Sequence, residues 1–312
     1  MDRRTGTLGH RQFASLPELL KPDDLLIVNR SRVVPARLLG HTRGGGQAEV
    51  LYLFPEPGRP NHFRALVRPG RRLKVDAVVD FDQNQRCRVL EVHPDGTRTM
   101  AFESATDILE LLLKLGRLPL PPYIDRSDTP LDRDRYQTIY AKESGSVAAP
   151  TAGLHFTQDI LDRLRAQGVR VHDVVLHVGP GTFARVDAED IDDHRVLPEA
   201  YFVPTDTAEA YAHARAKGHR VIAVGTTTVR TLETAVQNGS LTSGPGTTDL
   251  VIRPGHTFQA IDALVTNFHL PRSSLLFLVA AFAGWPNIQK AYATAIREHY
   301  RFYSYGDAMF ID

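Results

Sequence analysis

The sequence predicts an α/β fold: a mainly parallel sheet with covering helices, plus an inserted small antiparallel β-barrel domain. Three observations carry this. Beyond about residue 138, short apolar runs alternate with helical patterns, as crossover-linked parallel strands do. Between 46 and 103, five short runs of alternating polarity follow one another with no helix between them. At 24–29 the run Asp-Leu-Leu-Ile-Val-Asn has the texture of the later strands, although it precedes the β-rich stretch. These features place residues 1–45 and 138–312 in one discontinuous α/β domain and 46–137 in an inserted β-barrel domain.

Each element has a local reason. A short helix at 15–20 leads into the strand at 24–29, and Gly44-Gly45-Gly46 marks a break. The runs at 48–54, 62–67, 77–81, 87–92 and 97–102, separated by Pro, Gly, Asp and Asn, suit a small barrel or sandwich. A helical run at 108–115 stops at Gly116, and the prolines of Leu118-Pro119-Leu120-Pro121-Pro122-Tyr123 make a rigid connector. Thr157 caps a helix to 167 that stops at Gly168, and a strand follows at 169–178. The helix at 206–217 stops at Gly218 before a strand at 219–224. The helix at 228–238 sets Val229, Leu232 and Val236 on one face and stops at Gly239. A strand at 263–268, an apolar helix at 273–282 and a helix at 287–300 complete the pattern before an aromatic tail.

Composition narrows the function classes. The longest apolar run, 275–283, is about half of the roughly 18 residues a membrane span needs, so no membrane association is expected. The charged start, Met1-Asp2-Arg3-Arg4, is no signal peptide. Cys87 is the only cysteine, which excludes an intrachain disulfide and a cysteine metal cluster and suits the cytoplasm. The 13 histidines lack metal-ligand spacing, so no metal is expected. With 37 Lys+Arg against 36 Asp+Glu, net charge carries no nucleic-acid footprint. Two local basic groups do suit a phosphate backbone: Arg30, Arg32, Arg37 and Arg43, then Arg68, Arg71, Arg72 and Lys74. Either group alone reads more readily as solvated surface.

Four segments concentrate residues that carry chemistry. Ala148-Ala149-Pro150-Thr151-Ala152-Gly153-Leu154-His155-Phe156 combines small residues that admit a ligand with polar Thr151 and His155. Leu176-His177-Val178-Gly179-Pro180-Gly181-Thr182-Phe183 is a tight turn whose amides can face a ligand, though a Gly-x-Gly alone reads as a plain turn. In Val224-Gly225-Thr226-Thr227-Thr228-Val229-Arg230-Thr231-Leu232-Glu233 a strand ends in Gly and hydroxyls open a helix, a place for a carboxylate or phosphate. The blander reading is N-capping, with Arg230 and Glu233 as an exposed pair three residues apart. Thr266-Asn267-Phe268-His269 sits at a strand end, where ligands of open α/β sheets bind. The tail Tyr303-Ser304-Tyr305-Gly306-Asp307-Ala308-Met309 is too aromatic to fray. Walker A, G-x-S-x-G and H-E-x-x-H signatures are absent.

These motifs, with Thr5-Gly6, the run from Asn29 to Arg37 and Pro119-Leu120-Pro121-Pro122-Tyr123-Ile124, resemble in order the S-adenosylmethionine:tRNA ribosyltransferase-isomerase family of queuosine biosynthesis. The chain departs from that pattern in starting almost at the Thr5-Gly6 turn, in Leu197 where a second His is usual, and in Arg185 where Pro is usual. The resemblance implies transfer and isomerisation of the ribosyl moiety of S-adenosylmethionine to 7-aminomethyl-7-deazaguanine at the tRNA wobble position. Epoxyqueuosine forms, and adenine and methionine leave. The sulfonium acidifies the 5′ hydrogens, so a positioned base suffices and no cofactor beyond the co-substrate is expected.

On that reading His155 or His269 is the general base, neutral near pH 7. Thr226, Thr227 and the helix start hold the methionine carboxylate with Arg230 nearby. Gly179, Gly181 and Thr182 admit the adenosine, Thr151, Gly153 and Asn267 line the site, and Tyr305 and Asp307 close it from the tail. Arg30, Arg32 and Arg37, with the β-rich insertion, grip a tRNA with a G-U-N anticodon that carries the deazaguanine. A monomer is expected. The competing readings are an S-adenosylmethionine-dependent RNA methyltransferase, which lacks support from any Gly-rich loop after an early strand, and a non-catalytic tRNA-binding protein.

Overall fold

A computed structural model describes residues 1–59, 61–104, 107–121, 123–124, 126–183, 186 and 191–312, the side chains of 182, 183 and 192 apart. The chain divides into two compact units: residues 1–31, 135–143 and 149–312, and residues 32–134 with 144–148.

The larger unit is built on a mixed sheet of seven strands. Across it run Gly244–Thr248, Glu199–Val203, Arg170–Leu176, Leu25–Asn29, Val221–Val224, Ala263–Asn267 and Ala308–Ile311. The central four are mutually parallel, while the outer strands on both sides are antiparallel to their neighbours. Strand-helix alternation thus foretold the centre of the sheet and not its edges. Leu25–Asn29 has no exposed residue because both faces are covered. Leu25 and Ile27 enter one core with the helices Thr205–Lys217, Thr226–Ala235, Ser274–Ala283 and Trp285–Arg297. Leu26 and Val28 enter the other, with Ile160, Leu161 and Leu164 of the helix Gln158–Ala166. Period-two alternation sends neighbouring residues to opposite cores, and each fully buried Leu, Ile or Val contributes about 1.5–3 kcal/mol.

Helix ends follow the expected chemistry. The Thr157 hydroxyl accepts from the Ile160 amide at 3.3 Å, and Ser273 caps its helix through the Leu276 amide at 3.2 Å. Gly218 ends its helix in the left-handed region at φ 70°, which a side chain resists. Gly239 differs from the expected helix stop. The helix ends at Ala235, and Asn238-Gly239, with φ of 50° and 78°, turns a short hairpin between Val236–Gln237 and Ser240–Leu241. Two consecutive positive φ values are what a type I′ hairpin requires, and Asn-Gly supplies them.

The smaller unit holds a closed antiparallel barrel in the strand order Arg37–Thr42, Gln47–Pro55, His62–Arg68, Arg98–Phe102, Arg86–Val92 and Val78–Asp80. Its interior is filled by Leu38, Val50, Phe63, Val79, Cys87, Val89 and Met100, all fully buried. Burial pushes the Cys87 thiol pKa up, which keeps it an inert core residue. The first barrel strand lies upstream of Gly44-Gly45-Gly46, so those glycines make a hairpin turn within the barrel. The helix Ile108–Leu115, capped by the Asp107 carboxylate at the Leu109 amide (2.7 Å), packs Leu111 and Leu112 into the same core.

Candidate active site

The carboxyl ends of the parallel strands bring together most of the residues singled out in the sequence. Val224 runs into Gly225, whose φ of 86° allows an immediate turn into the helix Thr226–Ala235. Gly225 has no side chain to cap that helix, so its first amides lack a side-chain partner. Thr228 and Thr231 spend their hydroxyls on carbonyls one turn back, at 2.7 and 3.1 Å. The Thr227 hydroxyl is buried without a hydrogen-bond partner. Arg230, 8% exposed, donates through Nε to the Leu250 carbonyl at 2.9 Å and through Nη1 to Glu199, while Nη2 is buried and unpartnered. A helix start with one orphan hydroxyl and one orphan guanidinium nitrogen has the donors that an anion would take up.

Arg230 and Glu233 are not an exposed pair. Glu233 is buried and accepts from the amides of Ala260 (2.9 Å) and Gln259 (3.1 Å), with His256 Nε2 at 3.3 Å. Spacing of three does put both on one side of the helix, but each meets a nearer partner in the packed interior. Glu199 also accepts from the Gly179 amide at 2.6 Å, so it joins the 179–181 turn to the helix start. That amide therefore points at Glu199. Gly181 borders open space, with nothing within 4 Å of where a Cβ would stand. The Thr182 side chain, like Arg185, lies outside the described residues.

Asn267 is the hub of the other half. Its amide nitrogen donates to the Tyr303 carbonyl at 3.1 Å and meets His155 Nε2 at 3.2 Å, and its oxygen accepts from the Thr151 hydroxyl at 3.4 Å. A main-chain carbonyl only accepts, so the Tyr303 contact fixes which amide end is nitrogen. His155 Nε2 then accepts, and the neutral ring carries its proton on Nδ1. The ring stacks on Phe13 with centroids 5.0 Å apart and planes 27° from parallel. Burial lowers the His155 pKa, with Asp307 raising it and Arg301 lowering it further. His155 lines a cavity of about 870 Å³ together with Phe13, Val265, Phe268, Asp307 and Met309.

His269 meets the Thr266 hydroxyl through Nε2 at 2.7 Å, and its amide donates to the Tyr292 hydroxyl at 2.8 Å. Burial drops its pKa to about 4, so the ring is neutral at pH 7. Gly153 has a packing role: an added Cβ would stand 2.1 Å from the Tyr140 hydroxyl and 2.7 Å from Thr138 Cγ2. Burial in turn drives the Tyr140 pKa far up. Thr226 is buried at the helix start. Asp307 accepts from the Arg301 amide at 2.7 Å and pairs with its guanidinium at 3.6 Å. Tyr305 is 42% exposed, with its ring 6.1 Å from that of Tyr136.

Two of the four arginines in the first basic group are neutralised. Arg30 pairs with Asp173 at 2.8 Å and Glu143 at 3.5 Å, and Arg37 with Glu49 at 3.7 Å, while Arg32 is exposed. Two contributors had no sequence signal: Glu199 and Tyr140 reach the site from distant positions in the chain, while Tyr303, part of the tail motif, contributes its carbonyl rather than its side chain. Among the described residues no group of three or more His, Cys, Asp or Glu could hold a metal, and no helix is long and apolar enough to cross a membrane.

A mixed α/β sheet with an uncapped helix start and a half-buried neutral histidine at the ends of its parallel strands, and a second unit that holds a six-stranded barrel, define a class of two-unit proteins. The comparisons place the chain within it. The family model for the queuosine biosynthesis protein matches residues 1–311. The S-adenosylmethionine:tRNA ribosyltransferase-isomerase of Anaeromyxobacter sp. (strain K) is 50% identical over 98% of this chain and 89% of its own. That of Moorella thermoacetica is 51% identical over 100% and 91%. The crystal structure of S-adenosylmethionine tRNA ribosyltransferase from Thermotoga maritima is 37% identical over 100% of this chain and 90% of its own, with a TM-score of 0.54. The chain belongs to the queuosine biosynthesis protein family.

Proposed function

We propose that the protein carries out the reaction that names its relatives. The ribosyl part of S-adenosylmethionine moves to the aminomethyl group of 7-aminomethyl-7-deazaguanine at the wobble position of tRNA, isomerises to the epoxide, and adenine and methionine leave. Family membership supports the reaction class. The observation that carries the site is the pair of buried, unpartnered donors Thr227 Oγ1 and Arg230 Nη2 at an uncapped helix start. The methionine carboxylate has the charge and size for them. Gly181, open to solvent, is where the adenosine approaches.

The sequence left His155 and His269 equal as the general base. The Asn267 amide supports giving them different roles. With Nε2 occupied, His155 presents Nδ1–H as a hydrogen-bond donor to the departing adenine. His269 is the base candidate: the Thr266 hydroxyl can accept from its Nε2–H, which leaves the Nδ1 lone pair of the neutral ring to take a proton. The protein is proposed to work as a cytoplasmic monomer on tRNAs with a G-U-N anticodon and with no resident cofactor. The larger unit, residues 1–31, 135–143 and 149–312, is proposed to carry the chemistry.

The purified protein is incubated with S-adenosylmethionine and tRNA bearing the deazaguanine, and the products are read by mass spectrometry. Adenine together with a ribosylated base supports the reading. S-adenosylhomocysteine points to a methyltransferase. Bound tRNA with no small-molecule product points to a non-catalytic binder.

A further inference from the structure

The second basic group differs from the first in having no acidic partners. Arg68 closes the barrel strand His62–Arg68, and residues 69–77 lead to the strand Val78–Asp80. Arg68, Arg71, Arg72 and Lys74 are all exposed. Among the described residues none of the four has a carboxylate within ion-pair distance. Three arginines of the barrel strands, by contrast, do carry acidic partners. Arg64 has Glu56 and Asp95 at 3.4 and 3.5 Å, Arg86 has Asp80 at 2.9 Å, and Arg88 has Glu103 at 2.8 Å. Glu49 faces Arg68 across the strand pair, but it is already paired with Arg37. Asp76, also exposed, is the one acid in the run 68–76.

The loop is held in shape from within. Leu73 is fully buried in the barrel core. The buried Arg98 guanidinium donates to the Leu73 carbonyl at 3.0 Å and the Gly70 carbonyl at 3.1 Å. The Arg72 amide closes a turn onto the Pro69 carbonyl at 3.2 Å. Arg72 Nη1 lies 3.4 Å from where a Cβ on Gly46 would stand, so the loop adjoins the hairpin turn that bears exposed Arg43. Five unneutralised cations on a fixed loop and its neighbouring turn repel one another and cost stability. The arrangement favours a partner that brings negative charge at regular spacing. Guanidinium groups match phosphate oxygens in pairs.

We infer that the loop 68–74, with Arg43, is the surface that takes the phosphate backbone of the tRNA substrate, and that Arg30 and Arg37 are not. The inference rests on the tRNA reading above. Removing a phosphate contact weakens binding without regard to sequence and flattens its salt dependence by about one unit per contact.

Binding of tRNA is measured by filter retention across a range of potassium chloride concentrations. The double variant Arg71→Gln, Arg72→Gln is expected to bind more weakly, with the slope of log Kd against log salt reduced by roughly two. The charge-keeping variant Arg71→Lys, Arg72→Lys retains the slope, which separates lost charge from lost fold. Lys114→Gln, which breaks an exposed pair with Glu110, serves as control and leaves the slope unchanged. A wild-type slope in the double variant, with tRNA still bound, overturns the loop assignment alone. A wild-type protein that binds no tRNA at any salt overturns the tRNA reading and the loop with it.

Discussion

Asn267 has one amide and three claimants, and its orientation decides what His155 can do. The Tyr303 carbonyl can only accept and the Thr151 hydroxyl can donate, which sets the amide's nitrogen toward His155. Asn267→Asp tests it, because a carboxylate accepts only. His155 then has to carry a proton on Nε2, and the new negative charge raises its pKa. The expected result is a ¹⁵N spectrum that moves from the Nδ1–H to the Nε2–H pattern, with kcat reduced roughly 10²–10⁴-fold and S-adenosylmethionine affinity little changed. A wild-type spectrum already in the Nε2–H form removes the Nδ1 hydrogen-bond-donor role. His269 gives a separate, thermodynamic prediction. Its folded pKa of about 4 lies below the ordinary 6.5, so the unfolded chain takes up a proton that the folded one refuses. Stability is therefore unaffected above pH 6.5 and falls as pH drops from 6.5 towards 4, by at most about 3 kcal/mol. Urea midpoints for the wild type and His269→Gln should converge in their pH dependence above pH 6.5 and diverge below it. Parallel curves from pH 7 to pH 4.5 contradict the burial argument. The sequence offered these two histidines as equals, since neither Asn267 nor Thr266 reveals its bonding partner along the chain.

The helix Thr226–Ala235 shows what an element adds to its residues. The sequence marked its threonines as caps or ligand groups with no means to choose, and the structure divides them. Thr228 and Thr231 bond back into the helix, and only Thr227 is left over. Thr227→Val keeps the shape and removes the orphan hydroxyl. It should leave the melting temperature unchanged or higher, because an unmet buried group costs about 1–3 kcal/mol, while KM for S-adenosylmethionine rises. An unchanged KM removes Thr227 from the ligand site. The Arg230–Glu199 pair was beyond the sequence, because helical spacing points to Glu233 and nothing local points 31 residues back. The strand Gly244–Thr248 was equally illegible: Gly-Pro-Gly-Thr-Thr reads as a loop and becomes a strand only by pairing with Glu199–Val203 at the sheet edge. Leu25–Asn29, by contrast, was plain from its apolar run. Gly153 supplies an element-scale test of close approach. Gly153→Ala should destabilise by about 1–3 kcal/mol through overpacking against Tyr140, and adding Tyr140→Phe should restore part of the loss by removing the nearest atom. If the second change restores nothing, Tyr140 is not what excludes a side chain there.

At the scale of the whole molecule, the two chain ends are what complete the sheet around the site. The Met1 amino group donates to the Phe310 carbonyl at 2.6 Å, and the Arg3 amide donates to the Asp312 carbonyl at 2.8 Å. The strand Ala308–Ile311 pairs along Ala263–Asn267, with Ala308 opposite Asn267 itself. Met309 and Ile311 enter one core, and Phe310 packs against the other. The aromatic tail thus holds the strand that aims Asn267, which is why a chain end so poor in polar residues does not fray. Deletion of residues 308–312 should strip that edge, expose both cores and abolish the cooperative melt of the larger unit. A milder change separates support from catalysis. Ile311→Ala should cost about 2–5 kcal/mol of stability, as a cavity in a packed core does. Turnover at a temperature well below its melt should stay near the wild-type value, because the backbone register that positions Asn267 remains. A deletion variant that melts like the wild type contradicts the tail as closing strand. An Ile311→Ala protein that is stable yet inactive instead gives the tail a direct part in the reaction.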